Sequence, residues 1–350
     1  MAFSNENSHD LLIKNLYEKA STIPQIEWID LTTVSDNRSA ILVTSPNARR
    51  RLQEFTGNFN FQHELNISGG DAEFVAILGQ NRPDIDTMYA VGGGRVIDVA
   101  RLLAHTWDME ITVIPTIIST DSPFVDCTGV RDDGCVRYVK SKKADRVLLD
   151  LNLLQQSSKS LHAGGCADVL SIYTALYDWK LAQDRHVAQP DEQYFPIVAQ
   201  QAEGILQYLL GNETDITIMS RTGLESLVRA LAMEVELCNL YGNSRPEEGG
   251  EHFFAYAIEP HLPHTTHGEL VGLGILVTAY MQGQPWQDMR KFMESIGMCY
   301  RPKGISAQLI TETLKTMPGY VNKHNLRYST WNEYVYDEPN VQQFLSTLSI

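Results

Sequence analysis

The chain has 350 residues, 43% of them hydrophobic and 20% charged, with a formal net charge of −15. This length exceeds what one hydrophobic core usually supports and predicts two domains. The negative charge opposes attraction to phosphate backbones and anionic lipid, so we expect neither nucleic acid nor a membrane surface as a partner. A locally basic pocket for a small anionic ligand is still compatible with it.

The expected location of the protein follows from what the sequence lacks. The first ten residues, MAFSNENSHD, are polar, and no stretch approaches the ~18 uninterrupted apolar residues of a spanning helix. The five cysteines are scattered without a CxxC pair, which favours reduced thiols. We therefore expect a cytoplasmic protein without membrane insertion.

The predicted elements change character along the chain. Up to Leu149, amphipathic helical segments alternate with short apolar runs, namely AILVT, TMYAV, ITVIP and RVLLD. This alternation predicts βαβ units and a parallel sheet. After Asp150 the patterns are helical almost without a break, in CADVLSIYTALYDWKLA, YFPIVAQQAEGILQYLL, GLESLVRALAMEVELCNLYG and HGELVGLGILVTAYM. Periodicity does not place the segment after Leu326, and QQSSKS is typical of a connector. We predict an α/β, Rossmann-like domain over residues 1–155 and an all-helical domain over 156–350.

Three consecutive glycines, Gly92, Gly93 and Gly94, separate TMYAV from an amphipathic helix. Glycines let backbone N–H groups approach a ligand closely, and the helix N-terminus favours an anion such as a pyrophosphate. The spacing is not GxGxxG, and a simple tight turn explains the run equally well. Asp98 on the same helix is either a favourable acid near its N-terminus or a residue lining a nicotinamide cofactor.

The end of the first predicted strand bears on the cofactor preference. Sites that exclude a 2′-phosphate place an acid near such a strand end, whereas arginine accommodates the phosphate. Here Ser45 and two further non-acidic residues stand at that point, followed by Arg49, Arg50 and Arg51. The pattern favours tolerance of NADP, and a solvated helix face is the competing explanation.

Four histidines lie close together, at His252, His261, His264 and His267. A carboxylate and two imidazoles on rigid elements can converge on one metal ion. The candidate ligands are Asp168, His252 and His267, and the prolines between the two histidines allow a helix, a turn and a second helix. Taken singly, each candidate is explained as well by a helix-terminal aspartate or a hydrogen-bonded histidine.

The chain resembles the iron-containing alcohol dehydrogenase and dehydroquinate synthase-like superfamily in five segments: GGGRVIDVAR, IPTIISTDSPF, GGCADVLSIYTALYDWKLA, GNSRPEEGGEH and HGELVGLG. The similarity extends from about Ala40 to Tyr280. IPTIISTDSPF is close to the glycerol dehydrogenase pattern, whereas the third and fourth segments are more similar to the sn-glycerol-1-phosphate dehydrogenases. The second group receives more weight because its matches surround the expected metal site.

The resemblance implies a dehydroquinate synthase-like fold, with the active site in the cleft between an α/β nucleotide domain and an all-helical domain. It implies that Asp168, His252 and His267 bind the metal and that Asp121 holds a substrate hydroxyl. The implied contacts of the cofactor, NAD or NADP, are Gly92, Gly93, Gly94, Asp98, Thr116, Ser119 and Thr120.

The resemblance also bears on the metal and the reaction. Iron-using relatives generally carry a further histidine one helical turn after the aspartate, where this chain has Ile172. One aspartate and two histidines suit a catalytic zinc, with iron or nickel as alternatives. The implied reaction is hydride transfer to the nicotinamide from a secondary alcohol whose pKa the zinc lowers. By position, His264 is a candidate proton relay, and a structural histidine is the competing explanation.

Arg245 in GNSRP is a candidate ligand of a substrate phosphate, or else a capping or surface arginine. The resulting hypothesis is an NAD(P)-dependent dehydrogenase of glycerol 1-phosphate that reduces dihydroxyacetone phosphate, with glycerol dehydrogenase as the alternative and a homo-oligomer as in relatives. A sugar-phosphate cyclase ranks lower, because SPFVDCTGVRDDG lacks the expected Gly-Gly-Lys. A non-catalytic relative would have no reason to retain all three metal ligands.

Overall fold

The computed structural model describes residues 21–55, 57–67 and 81–348. The polar first ten residues, on which the expected cytoplasmic location partly rests, lie outside these ranges. The chain divides into two compact units. One comprises Ile23–Asp132 and Val136–His162, and the other is formed chiefly by the residues from Ala163 onward.

A six-stranded, all-parallel sheet forms the centre of the first unit, which confirms the predicted α/β class. Its strands are β1 (Gln25–Trp28), β2 (Ser35–Thr44), β3 (Asn58–Asn66), β4 (Thr87–Gly92), β5 (Glu110–Pro115) and β8 (Arg146–Leu149). They lie side by side in the order β1-β8-β5-β4-β2-β3. A separate two-stranded sheet pairs β6 (Cys127–Asp132) with β7 (Cys135–Lys140).

Burial follows the position of each strand in the sheet. The interior strand β4, with the sequence TMYAVG, is buried at every residue, as expected for a parallel strand covered on both faces. The edge strand β3, NFNFQHELN, leaves most of its residues exposed. One hydrophobic cluster packs β2, β4, β5 and β8 residues together, among them Leu42, Tyr89, Ile114 and Leu148.

Two helices of this unit begin at a side chain that satisfies their first N–H groups. The helices described are α1 (Pro46–Leu52), α2 (Gly94–Thr106), α3 (Leu151–Gln155) and α4 (Lys159–Gly164), and α4 continues past His162, the last residue of the unit. Ser45 caps α1 by accepting from the Ala48 N–H, and Asp150 caps α3. Each cap stands directly after a strand, so the chain turns sharply at the carboxyl edge of the sheet.

The strand order places a topological switch point between β2 and β4. From β2 the chain first adds β3 on one side and then β4 on the other side. In open parallel sheets, ligands bind outside the carboxyl ends of strands at such a point. The glycine run at the end of β4 lies at this point.

The second unit is helical, and residues 163–348 contain no strand. Its helices are α5 (Cys166–Leu170), α6 (Ile172–Asp184), α7 (Pro196–Gly211), α8 (Glu213–Ile218), α9 (Arg221–Tyr241), α10 (Gly250–Ile258), α11 (His267–Met281), α12 (Trp286–Ser295), α13 (Ala307–Lys323), α14 (Thr330–Glu333) and α15 (Glu338–Leu348). Helix α11 is apolar on all sides and buried along most of its length, so it is the central helix of this unit. Among the described residues, none of the helices combines the length and apolar character needed to cross a membrane.

Candidate functional site

Asp168, His252 and His267 meet in the helical unit. One potential ligand atom from each lies within 4.8 Å of the others. The Nε2 atom of His267 is 3.1 Å from Oδ1 of Asp168, and the two imidazole ring centroids are 5.5 Å apart. Asp168 and His252 are buried, whereas His267 is partly exposed. The three residues predicted as ligands therefore converge on one point.

Two glycines of α11 allow this convergence. A Cβ atom at Gly268 would lie 2.3 Å from the carbonyl oxygen of Gly164, just before the helix that carries Asp168. A Cβ atom at Gly274 would lie 2.3 Å from the carbonyl oxygen of Glu251, next to His252. Contacts this close exclude any side chain, so the segment HGELVGLG brings both neighbouring helices against α11.

The orientation of His252 is set by the residue before it. Its Nδ1 atom is 2.9 Å from Oε1 of Glu251, which is fully buried. Since a carboxylate only accepts hydrogen bonds, Nδ1 carries the proton and Nε2 of the neutral ring is left to bind a metal. Burial alone would lower the pKa of His252, but the hydrogen bond of Glu251 and the charges of Glu251, Glu248 and Asp168 outweigh it and raise this pKa to about 9.

The charge of the cluster fits a metal cation. Asp168, Glu248 and Glu251 are all buried around His252, and their charges favour its protonated form. A divalent ion bound in place of that proton would neutralise more of this negative charge. Ile172, at the position of the additional histidine in iron-using relatives, is fully buried, and the cluster contains three donors within the described part of the chain. Three donors match the ligand number of catalytic zinc sites.

The glycine run forms the turn from β4 into α2. A Cβ atom at Gly92 would lie 2.7 Å from the Cβ atom of Val96, and one at Gly94 would lie 3.0 Å from Oγ1 of Thr120. The turn borders an open cavity of about 310 Å³ lined by Ser45, Ile67, Gly93, Gly94, Arg95 and Val96. The N-terminus of α2 thus lines the cavity, an arrangement that favours an anion.

Asp98 is held by side chains of the α/β unit. Its Oδ1 atom accepts a hydrogen bond of 2.8 Å from the Ser122 hydroxyl and lies 3.4 Å from Nη1 of Arg101. Arg101 is fully buried and also binds the carbonyl oxygens of Ser122, Cys127 and Lys142 and the hydroxyl of Ser141. Arg101 is a functional residue that was not predicted from the sequence, although an arginine inside the apolar pattern VIDVARLLAHT is a detectable signal.

The loop after β5 carries the remaining predicted residues of the nucleotide side. Thr116 is buried and its N–H donates to the Gly92 carbonyl oxygen, so the loop starts beside the glycine turn. The N–H of Ser122 donates to Oγ1 of Thr120. Ser119, Thr120 and Asp121 are partly exposed. Thr116 and Thr120 therefore contact the glycine turn or the segment that holds Asp98.

The arginines predicted to favour NADP form contacts with other side chains of the protein. In the run after Ser45, Arg49 pairs with Glu64 at 3.0 Å, Arg50 binds Asn47 and Arg51 binds Ser157. Arg95 is exposed and lines the cavity, which makes it a candidate for a cofactor phosphate.

Arg245 lies in the interior, contrary to the alternative of a surface arginine. Its guanidinium is fully buried, pairs with Glu192 at 3.0 Å and donates to the carbonyl oxygen of Tyr328. Burial lowers its pKa. These contacts favour a structural role over the predicted contact with a substrate phosphate.

The other two histidines of the quartet do not join the cluster. His261 and His264 are exposed in the turn between α10 and α11. An exposed imidazole at His264 could exchange protons with solvent, as the predicted relay requires.

Comparisons with known proteins identify relatives of this chain. The model of the iron-containing alcohol dehydrogenase family matches residues 34–156. A glycerol-1-phosphate dehydrogenase (NAD(P)+) of Sulfolobus acidocaldarius is 32% identical over 264 residues, which are 73% of this chain and 72% of that protein.

Two solved structures share the fold. A probable glycerol dehydrogenase of Sinorhizobium meliloti has a TM-score of 0.66 at 15% identity, covering 94% of this chain and 98% of that chain. The 2-epi-5-epi-valiolone synthase of Streptomyces hygroscopicus, solved with NAD+ and Zn2+ bound, has a TM-score of 0.63 at 15% identity, covering 95% and 98%. The predicted fold is confirmed, and the chain belongs to the iron-containing alcohol dehydrogenase family and is an oxidoreductase acting on CH–OH groups.

Proposed function

We propose that this protein is a metal-dependent and NAD(P)-dependent polyol-phosphate dehydrogenase that interconverts dihydroxyacetone phosphate and glycerol 1-phosphate. The buried cluster of Asp168, His252 and His267 carries the proposal. The name of the Sulfolobus acidocaldarius relative supports the substrate class. In this proposal residues 1–155 bind the cofactor, and residues 156–350 bind the metal and the substrate.

The proposed metal is zinc. Asp168, His252 and His267 would hold it. Among the residues that the structure describes, no fourth donor joins this cluster, and Ile172 cannot supply one. A bound zinc ion would act as a Lewis acid on a substrate oxygen. The bound zinc of the valiolone synthase supports this choice.

The cofactor side is assigned to the glycine turn. The N-terminus of α2, with Gly92, Gly93 and Gly94, would bind the pyrophosphate, while Asp98 and the loop residues Thr116, Ser119 and Thr120 would line the nicotinamide side. The nicotinamide supplies or accepts the hydride. Ser45 and Arg95 line the cavity, and no carboxylate stands among its described lining residues, so we expect NADPH to be accepted as well as NADH.

Substrate handling is assigned to two further side chains. Asp121 would bind a substrate hydroxyl through its partly exposed carboxylate. His264 would pass the proton of the reacting hydroxyl to solvent, because its imidazole is exposed.

A second candidate function, glycerol dehydrogenase, is favoured by the placement of Arg245. With this guanidinium bound to Glu192, the predicted phosphate ligand is already occupied. A substrate without a phosphate would not need it.

An activity assay separates the two functions. Zinc-loaded protein is given dihydroxyacetone phosphate or dihydroxyacetone, each with NADH and with NADPH, and the absorbance of the reduced nicotinamide is followed. Faster turnover of the phosphate supports the proposal, and faster turnover of the free triose supports glycerol dehydrogenase. If neither is reduced while zinc and nucleotide bind, both assignments are wrong.

Removal of one ligand tests the metal site itself. We expect His252→Ala to bind less than stoichiometric zinc and to lose activity to background, because two remaining ligands cannot hold a catalytic zinc ion. His261→Ala, an exposed histidine of the same quartet, is the control and should retain both properties. Zinc content by elemental analysis and initial rates measure the difference. Full activity of the zinc-depleted His252→Ala protein would contradict a metal-dependent reaction.

A further inference from the structure

Glu251 is a buried carboxylate in direct contact with a proposed metal ligand. Its side chain is fully buried. Oε1 accepts from Nδ1 of His252 at 2.9 Å and from the backbone N–H of Gly249 at 2.6 Å. Oε2 accepts from the hydroxyl of Thr174 at 2.7 Å. Three donors thus surround a charge that would be costly to bury alone.

These three donors fix the carboxylate in one orientation. Gly249 lies immediately before α10, and Thr174 lies on α6, so Glu251 is held from its own turn and from a neighbouring helix. The same turn is fixed through Gly250, whose N–H donates to Asp178 and whose carbonyl oxygen accepts from the Trp331 indole. The position of Glu251 is therefore set before any ligand binds.

The consequence for His252 is a single tautomer and a fixed ring plane. The acceptor at Glu251 keeps the proton on Nδ1 and directs Nε2 away from the carboxylate. A ligating histidine that donates its other N–H to a carboxylate is oriented by it and becomes a more basic ligand.

We infer that Glu251 is a positioning residue that presents Nε2 of His252 to the metal and increases the affinity of the cluster for it. The inference rests on the proposed metal site. Its predicted observable is the metal dissociation constant, which is measured without catalysis.

Glu251→Gln provides the test, because glutamine keeps the shape of the side chain. Its amide oxygen can still accept from His252 and Gly249, and its NH2 group can donate to Thr174, but the negative charge is lost. The matched control is Glu294→Gln, the same change at a glutamate of α12 whose carboxylate pairs with Arg290 and accepts from the Tyr300 hydroxyl. Zinc affinity of the full-length protein is measured by competition with a chromophoric chelator, and the melting temperature by circular dichroism.

We expect Glu251→Gln to bind zinc about 10- to 100-fold more weakly than the unsubstituted protein. Glu294→Gln should lower the melting temperature slightly and leave the zinc affinity within about threefold, since changes at sites without shared partners act independently. Unchanged zinc affinity of Glu251→Gln would overturn the inference alone. Absence of zinc binding by the unsubstituted protein would overturn both the metal site and the inference.

A second variant acts through Glu251 without changing its charge. Thr174→Val removes the hydroxyl that donates to Oε2. We expect a smaller loss of zinc affinity in the same direction, together with a shifted d–d absorption spectrum of the cobalt-loaded protein. If Glu251→Gln fails to fold, an unaltered affinity and spectrum of Thr174→Val would overturn the inference.

Discussion

The metal cluster and the glycine turn are built by different means. The metal cluster consists of side chains from three helices, and close helix contacts and the buried Glu251 fix their positions. The glycine turn is mostly backbone at the edge of a sheet, and it borders a cavity open to solvent. Local packing inside the helical unit thus determines the first site, whereas strand order and a few buried anchors determine the second. Substitutions should therefore affect one site and spare the other.

The largest effect in the α/β unit is expected at Arg101. Arg101→Met would leave the carbonyl oxygens of Ser122 and Cys127 without their donor in a buried place. Leaving a buried acceptor without its donor destabilises by roughly 1–3 kcal/mol for each such group. The free energy of unfolding, measured with urea, and the Kd for NADPH should both reveal this loss.

The metal site in the helical unit is an internal control for Arg101→Met. Zinc stoichiometry of the folded Arg101→Met protein should stay at the unsubstituted value, because all three ligands lie in the helical unit. Arg221→Met, at an exposed arginine paired with Glu225, should change stability by no more than about 0.5 kcal/mol. An equal loss in both variants would show that Arg101 is no anchor.

A glycine of α11 tests the other region. In Gly274→Ala the new methyl group would stand 2.3 Å from the Glu251 carbonyl oxygen, so α10 must shift and displace His252. Overpacking of this kind destabilises by about 1–3 kcal/mol. We expect weaker zinc binding with an unchanged Kd for NADPH.

Gly204→Ala is the matched control for Gly274→Ala. Gly204 lies inside α7 with no atom within 4 Å of an added Cβ atom. Alanine has the better helix propensity, so this variant should gain up to about 1 kcal/mol. Undiminished zinc affinity in Gly274→Ala would break the link between helix contact and metal site.

The two regions also differ in how much of them was predictable from sequence. The apolar runs predicted as strands correspond to β2, β4, β5 and β8. The edge strands β1 and β3 were missed, because β1 has four residues and β3 carries polar residues on exposed positions. The turn after β4 was identified because its glycines and the start of α2 are local features of the sequence.

In the helical unit, periodicity predicted α7, α9 and α11 but not the connections between helices. The pattern CADVLSIYTALYDWKLA indicated unbroken helix, whereas the structure separates α5 from α6 at Ser171, whose hydroxyl binds the carbonyl oxygens of Asp168 and Glu247. The segment after Leu326 could not be placed by periodicity. It is anchored by Thr330, which donates to the buried Asp178. Such long-range hydrogen bonds leave no local pattern in a sequence.

The smallest expected effect concerns His162, a buried anchor of the loop after β5. Its Nδ1 accepts from the Ile118 N–H at 3.2 Å, so the ring is neutral and Nε2 donates to the Leu154 carbonyl oxygen at 2.9 Å. Burial, with a smaller contribution from the charge of Arg51, lowers the pKa of His162 below its ordinary value of 6.5. In acid the unfolded chain therefore binds this proton more readily than the folded protein does. The stabilisation is complete above pH 6.5 and is lost as the pH falls towards the lowered pKa.

The variant His162→Gln, whose side chain cannot be protonated, tests this pH dependence. Its free energy of unfolding should be about 1 kcal/mol lower at pH 8, because the hydrogen bond is weaker, and should decline less steeply below pH 6.5. Urea unfolding from pH 8 to pH 5 measures both, and parallel curves for the two proteins would show that the buried imidazole does not contribute to the pH dependence of the α/β unit.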